Sequence, residues 1–167
     1  MRSWKSKVLL IIIAIIVIIQ FIRPEKNVSS EPSPTDISTK YSITDPVKGV
    51  LEKACTDCHS NNTRYPWYSQ VQPIAWWMND HVEEGKGELN FSTFTSRPLA
   101  IQFHKFEEVV ETVKEGEMPL PSYTWVGMHP EAKLSQEEKD LLIHWAEEQM
   151  NAMKQQYPAD SLVRKKR

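Results

Sequence analysis

The residues with the most chemistry in this chain of 167 are its only two cysteines, Cys55 and Cys58, and the histidine that follows the second. Two thiols three positions apart lie one helical turn from each other, so each can add to a vinyl group of one porphyrin. The next residue then carries its imidazole toward the iron. Cys55-Thr56-Asp57-Cys58-His59 therefore reads as a covalent haem c attachment site with His59 as proximal ligand. Two other chemistries compete: a disulfide or thioredoxin-like dithiol between the cysteines, which lacks the expected βαβ surroundings, and a zinc site, which lacks a second Cys or His pair at matching spacing.

A haem iron has a second axial position, and the sequence offers several groups for it. Met118 precedes Pro119 in a loop flanked by glycine and proline, where proline would stiffen the chain behind the sulfur. It is the expected distal ligand, although methionine also serves as a gap filler. His81 is the alternative, an imidazole on an otherwise apolar helical face that could equally be a hydrogen-bonded core group. Met128 and His129, in Gly127-Met128-His129-Pro130, are further possibilities, while His104 and His144 read as surface groups. A His/Met pair raises the reduction potential, a bis-His pair lowers it, and both favour outer-sphere electron transfer. An open position would instead admit a small gas or peroxide, giving a sensor or peroxidase. No acid/base constellation suggests another enzyme.

The elements that must position these groups follow from periodicity. Asp45-Pro46 starts a helix whose face, Val47, Val50, Leu51 and Ala54, leads into the cysteine motif. Ile74, Trp77, Met78, His81 and Val82 mark a helix from about Pro73 to Glu84, ended by Gly85 and Gly87. A third runs from about Pro98 to Lys114 with Phe103, Phe106, Val110 and Val113 inward and Gly116 as its stop. The fourth begins at Ser135, whose capping box with Glu138 precedes Leu141, Leu142, Trp145 and Met153. No stretch alternates as a strand. Trp67, Tyr68, Trp76, Trp77, Tyr123 and Trp125 are candidates to wall a macrocycle, and Arg64 or Trp77 could contact a propionate.

Outside this domain, Lys and Arg before the apolar run Val8–Ile19 predict an uncleaved N-terminal transmembrane anchor over residues 1–23. That would place the chain in the inner membrane with its haem domain facing the periplasm. Residues 24–44, rich in Ser, Pro and Thr, read as a disordered linker, 45–153 as the haem-binding domain, and 154–167 as a basic flexible tail. A net charge of −2 without a basic face excludes nucleic acid as an expected partner.

On Cys55–Asn61, Pro66-Trp67-Tyr68, Trp77, His81, Leu89–Ser92, Gly116–Pro119 and Leu134–Glu138, the chain resembles the bacterial haem-binding domain family, related to small monohaem c-type cytochromes. The resemblance implies an all-α, cytochrome c-like domain of about four helices with long loops, a Met-Pro loop on the far haem face, and a C-terminal helix across the first. It also implies an electron carrier or haem-binding module with a redox partner protein. The aromatic segment from Tyr65 to Phe94 departs from the usual small cytochrome.

Overall fold

The computed structural model describes residues 3–29, 31–125 and 128–164. Among them are six α-helices and no strand: α1 Trp4–Ile19, α2 Asp45–Ala54, α3 Thr56–His59, α4 Ile74–Glu88, α5 Leu99–Glu115 and α6 Gln136–Gln156. The last two pack as an antiparallel pair, joined to α2, and form the main core with Phe103, Phe106, Val113, Leu142, Trp145, Ala146 and Met153. Helix α4 lies against α3 and so against the cysteine motif.

Local chemistry explains most of the boundaries. Gly116 closes α5 in the left-handed conformation, φ 77°, where a side chain would be strained. Ser135 Oγ accepts from the Glu138 backbone N–H while the Glu138 carboxylate accepts from the Ser135 N–H, the reciprocal box expected at α6. At α2 the cap is Thr44, with Asp45 as the first helical residue and no side-chain capping bond.

Helix α4 does not stop at Gly85 and Gly87; it continues to Glu88. A glycine costs a helix only about 1 kcal/mol, which neighbouring contacts can offset. Gly85 has a positive reason to be there. A Cβ on it would lie 2.7 Å from the Cys58 carbonyl oxygen and 3.0 Å from the Cys58 Cβ, so only glycine lets α4 come this close to the motif.

Two expectations about the chain's N-terminal part are overturned. Helix α1 has 16 residues, about 24 Å at 1.5 Å per residue against a hydrocarbon core of about 30 Å. No helix among the described residues is long and apolar enough to cross a membrane, so the transmembrane anchor and the single-pass inner-membrane placement built on it are not supported. Met1 and Arg2 of that segment lie outside the described residues.

The second correction concerns residues 24–44, which are not a free tether. Asn27 donates through its side chain to Ser60 O and Thr63 Oγ1, and Val28 bridges Asn62. Ile37 and Tyr41 enter the core, and Tyr41 Oη donates to Gln102 at 2.6 Å. The polar composition that suggested disorder supplies long-range hydrogen bonds instead. At the other end, α6 reaches Gln156 and Leu162 is buried, so the expected tail also begins later; its last residues, 165–167, lie outside the described set.

Candidate functional site

Helix α2 delivers the motif through a bend at Cys55, whose N–H still bonds Leu51 O, and α3 winds one turn so that the His59 N–H bonds Cys55 O. Asp57, inside the motif, is buried and carries the turn's polar anchoring. Arg64 donates to it from Nε and Nη2, each at 3.1 Å, and from its backbone N–H at 3.0 Å. Tyr123 Oη donates at 2.7 Å to Asp57 Oδ2, the oxygen that also accepts from Arg64 Nη2. Burial and this bond push the Tyr123 phenol well above its usual range, and the bond to Asp57 raises the Arg64 guanidinium. Arg64 is therefore committed to the motif's own carboxylate, not extended toward a propionate.

The His59 ring is oriented by the end of α4. Its Nδ1 lies 2.9 Å from Gly85 O and 3.0 Å from Leu89 O, so Nδ1 carries the proton and donates, leaving the Nε2 lone pair as the ring's free acceptor. A ligating imidazole is held in this way, through the nitrogen that faces away from the metal. The glycine that permits the close approach of α4 also supplies one of these carbonyls. The thiols of Cys55 and Cys58 are pushed up to about 12 and about 11, chiefly by burial and then by Cys58 and Asp57 respectively. An exchange-active dithiol has the reverse, a lowered thiol pKa.

Beside Cys58 opens a cleft with about 500 Å³ of empty space including its open mouth. Trp77, His81 and Val82 of α4 form one wall, and Leu120, Tyr123 and His129 of the loop before α6 form the other. Two polar atoms here are buried without a hydrogen-bond partner among the described residues, Tyr68 Oη and His129 Nε2. His129 Nδ1 is 3.0 Å from Glu131 Oε1, and its ring stacks on Tyr123 at 4.4 Å and 15°.

The predicted site residues are brought together only in part. Cys58, Trp77 and His81 share the cleft, with Arg64 at its edge and His59 seated behind the motif on α4. Met118 is half-buried at the start of the loop, its N–H on Thr112 O, and is not among the residues lining the cleft. His81 donates through Nδ1 to its own helix's Trp77 O, 2.9 Å away. Trp67 and Trp125 are 79% and 71% exposed and wall nothing, and Trp76 donates to Ile22 O. His104 and His144 pair with glutamates on their own helices, as surface groups do. Val126 and Gly127, within the predicted distal loop, lie outside the described residues. Sequence reasoning missed Asp57 as the anchor of the turn, for which an acid inside the motif was the available signal, and gave His129 no special weight, since its surroundings are set by the fold.

The fit to a haem rests on these observations: paired thiols on one turn, an imidazole with its outer nitrogen held by carbonyls, and an apolar cleft containing an unpartnered imidazole nitrogen. Comparison with known families agrees. Residues 14–148 match the family described as haem-binding domain. No curated protein and no solved structure gives a match. The matched span covers most of the chain and includes the segment from Pro24 to Thr44 that is packed onto the domain, and the chain belongs to the haem-binding domain family.

Proposed function

We propose that this member of the haem-binding domain family holds one haem c covalently through Cys55 and Cys58, with His59 on its iron, and serves as a single-electron carrier. The observation that carries the reading is the pair of carbonyls, Gly85 O and Leu89 O, on His59 Nδ1, which leaves Nε2 as a directed metal ligand on the same turn as two thiols.

Cys55 and Cys58 would hold the haem through two thioethers, each S–H adding across one vinyl double bond with sulfur on one carbon and hydrogen on the other, so that nothing would leave. When bound, haem supplies reversible one-electron chemistry between ferrous and ferric iron. The protein's residues do the rest. Asp57, tied to Arg64 and Tyr123, keeps the attachment turn in one conformation. Val82, Leu120 and Tyr123 line the cleft and give it an apolar surface. Trp77, 40% exposed at the cleft wall, presents an aromatic surface where a redox partner protein would dock.

The test is spectroscopic. The full chain, co-expressed with a haem-attachment system, is expected to show a haem c spectrum, to cycle reversibly between two oxidation states, and to be unchanged by carbon monoxide when reduced. Ready carbon monoxide binding would contradict the carrier and favour a sensor or peroxidase with a displaceable sixth ligand.

A further inference from the structure

We infer that His129 is the second axial ligand of the haem iron, through Nε2, in place of the methionine that a small cytochrome would supply. This rests on the haem reading above and concerns the opposite face of the group.

Three features of His129 point the same way. Its Nδ1 faces the Glu131 carboxylate at 3.0 Å, an arrangement that holds the proton on Nδ1 and enriches the lone pair on Nε2. That Nε2 is buried and has no hydrogen-bond partner among the described residues, and a buried lone pair is costly unless a donor or a metal takes it up. The ring is held flat against Tyr123, at 15° and 4.4 Å. Tyr123 in turn donates to Asp57, between the two cysteines, so the imidazole is tied to the attachment turn through one intervening side chain. A polar group built in this way, lining a cleft that Cys58 also lines, needs an electron-pair acceptor there, and a haem iron held by the attachment turn would be one.

The competitors lack one or more of these features. Met118 does not line the cleft. Met128 and Met78 do, but nothing orients their sulfurs, and a thioether tolerates burial without a partner. His81 lines the cleft with its Nδ1 on Trp77 O, yet its Nε2 is not buried, so water can satisfy it.

The experiment uses the full holoprotein. Wild type is expected to be low-spin in both oxidation states, with the electron paramagnetic resonance signature of two imidazoles and no methionine-to-iron charge-transfer band. His129→Ala should keep the covalent haem, become high-spin when oxidised and bind carbon monoxide when reduced; added imidazole should restore the low-spin spectrum. Should that variant not accumulate, His129→Met keeps a large side chain and is expected to create the charge-transfer band and raise the potential. An unchanged low-spin spectrum in either variant overturns the assignment, as does a wild-type charge-transfer band that Met118→Ala or Met128→Ala abolishes. A low-spin His129→Ala protein with only a shifted potential also overturns it, in favour of a contact at the haem edge. Wild type without covalent haem fails differently: it overturns the haem reading itself, and the ligand with it.

Discussion

Around Phe106 three aromatic side chains pack edge to face: Tyr41 at 5.0 Å, Phe94 at 5.1 Å and Trp145 at 5.6 Å. Their polar ends are paired as well, Tyr41 Oη with Gln102 and Trp145 Nε1 with Ser42 O. Across the molecule, between α4 and the loop before α6, Tyr68, Trp77, Tyr123 and His129 are just as aromatic but line a cleft, with two of their polar atoms unpartnered. The first region needs nothing beyond the chain, and its rings are there for stability. The second has rings, lone pairs and a cysteine turned toward a common space. Composition alone does not separate the two; the pairing of the polar ends does.

This contrast predicts that damage to the first region appears as lost stability and damage to the second as altered haem chemistry. The largest stability effect is expected at Phe106, 1% exposed, where Phe106→Ala should cost about 3–5 kcal/mol in denaturant unfolding of the holoprotein. The folded fraction should keep its haem spectrum. Gly85→Ala sits where the regions meet. Its Cβ would press on the Cys58 backbone, so a loss of about 1–3 kcal/mol is expected together with a lower yield of attached haem, read as the absorbance ratio of haem to protein. A stability loss with full haem yield would break the link drawn between α4 and the motif.

Ser135→Ala, at the start of α6, should cost about 1 kcal/mol and leave the haem spectrum alone. The same cap carries a pH dependence. Lys53, and then the Ser135 N–H, hold the Glu138 carboxyl below its usual range in the folded protein. Its contribution is therefore complete above the unfolded-state value and fades as pH falls through the lowered folded one. Thermal melts of wild type and Glu138→Gln should thus converge on acidification; a constant gap would contradict the role given to Glu138. The smallest effect belongs to Trp67→Ala, 79% exposed, with a change within about 0.5 kcal/mol and no change in spectrum.

How far the sequence reveals this arrangement depends on the range of the interactions involved. Gly116 as a stop and Ser135 with Glu138 as a box are decided within a few residues, and both are legible. The aliphatic and aromatic faces of α2, α5 and α6 are legible from period alone, because they bury against one another. Gly85 is misread as a terminator because its reason, the Cys58 backbone, is 27 positions away and cannot be seen in helix propensity. Residues 24–44 look disordered because their apolar anchors, Ile37, Tyr41 and Ile43, are few, and the rest of their attachment comes from groups such as Asn27 reaching Ser60 and Thr63. The apolar run before Gln20 carries the composition of a span but a helix of only 16 residues.

At the site the same rule holds. Cys55, Cys58 and His59 are contiguous, so their chemistry is plain from spacing. Met118 is suggested by its proline and by the usual place of a distal methionine, whereas His129 acquires its character only from Tyr123, Glu131 and burial, which are set by the fold.

The central claim is that the Cys55–His59 turn is an attachment site, and the most direct measurement is the mass of the denatured chain after co-expression with a haem-attachment system. The account predicts a polypeptide heavier by one haem, with the haem retained on the proteolytic peptide that contains Cys55 and Cys58, and no added mass when both cysteines are replaced by serine. A denatured wild-type chain at its bare polypeptide mass, or haem that stays with the Cys55→Ser, Cys58→Ser double variant, would contradict it.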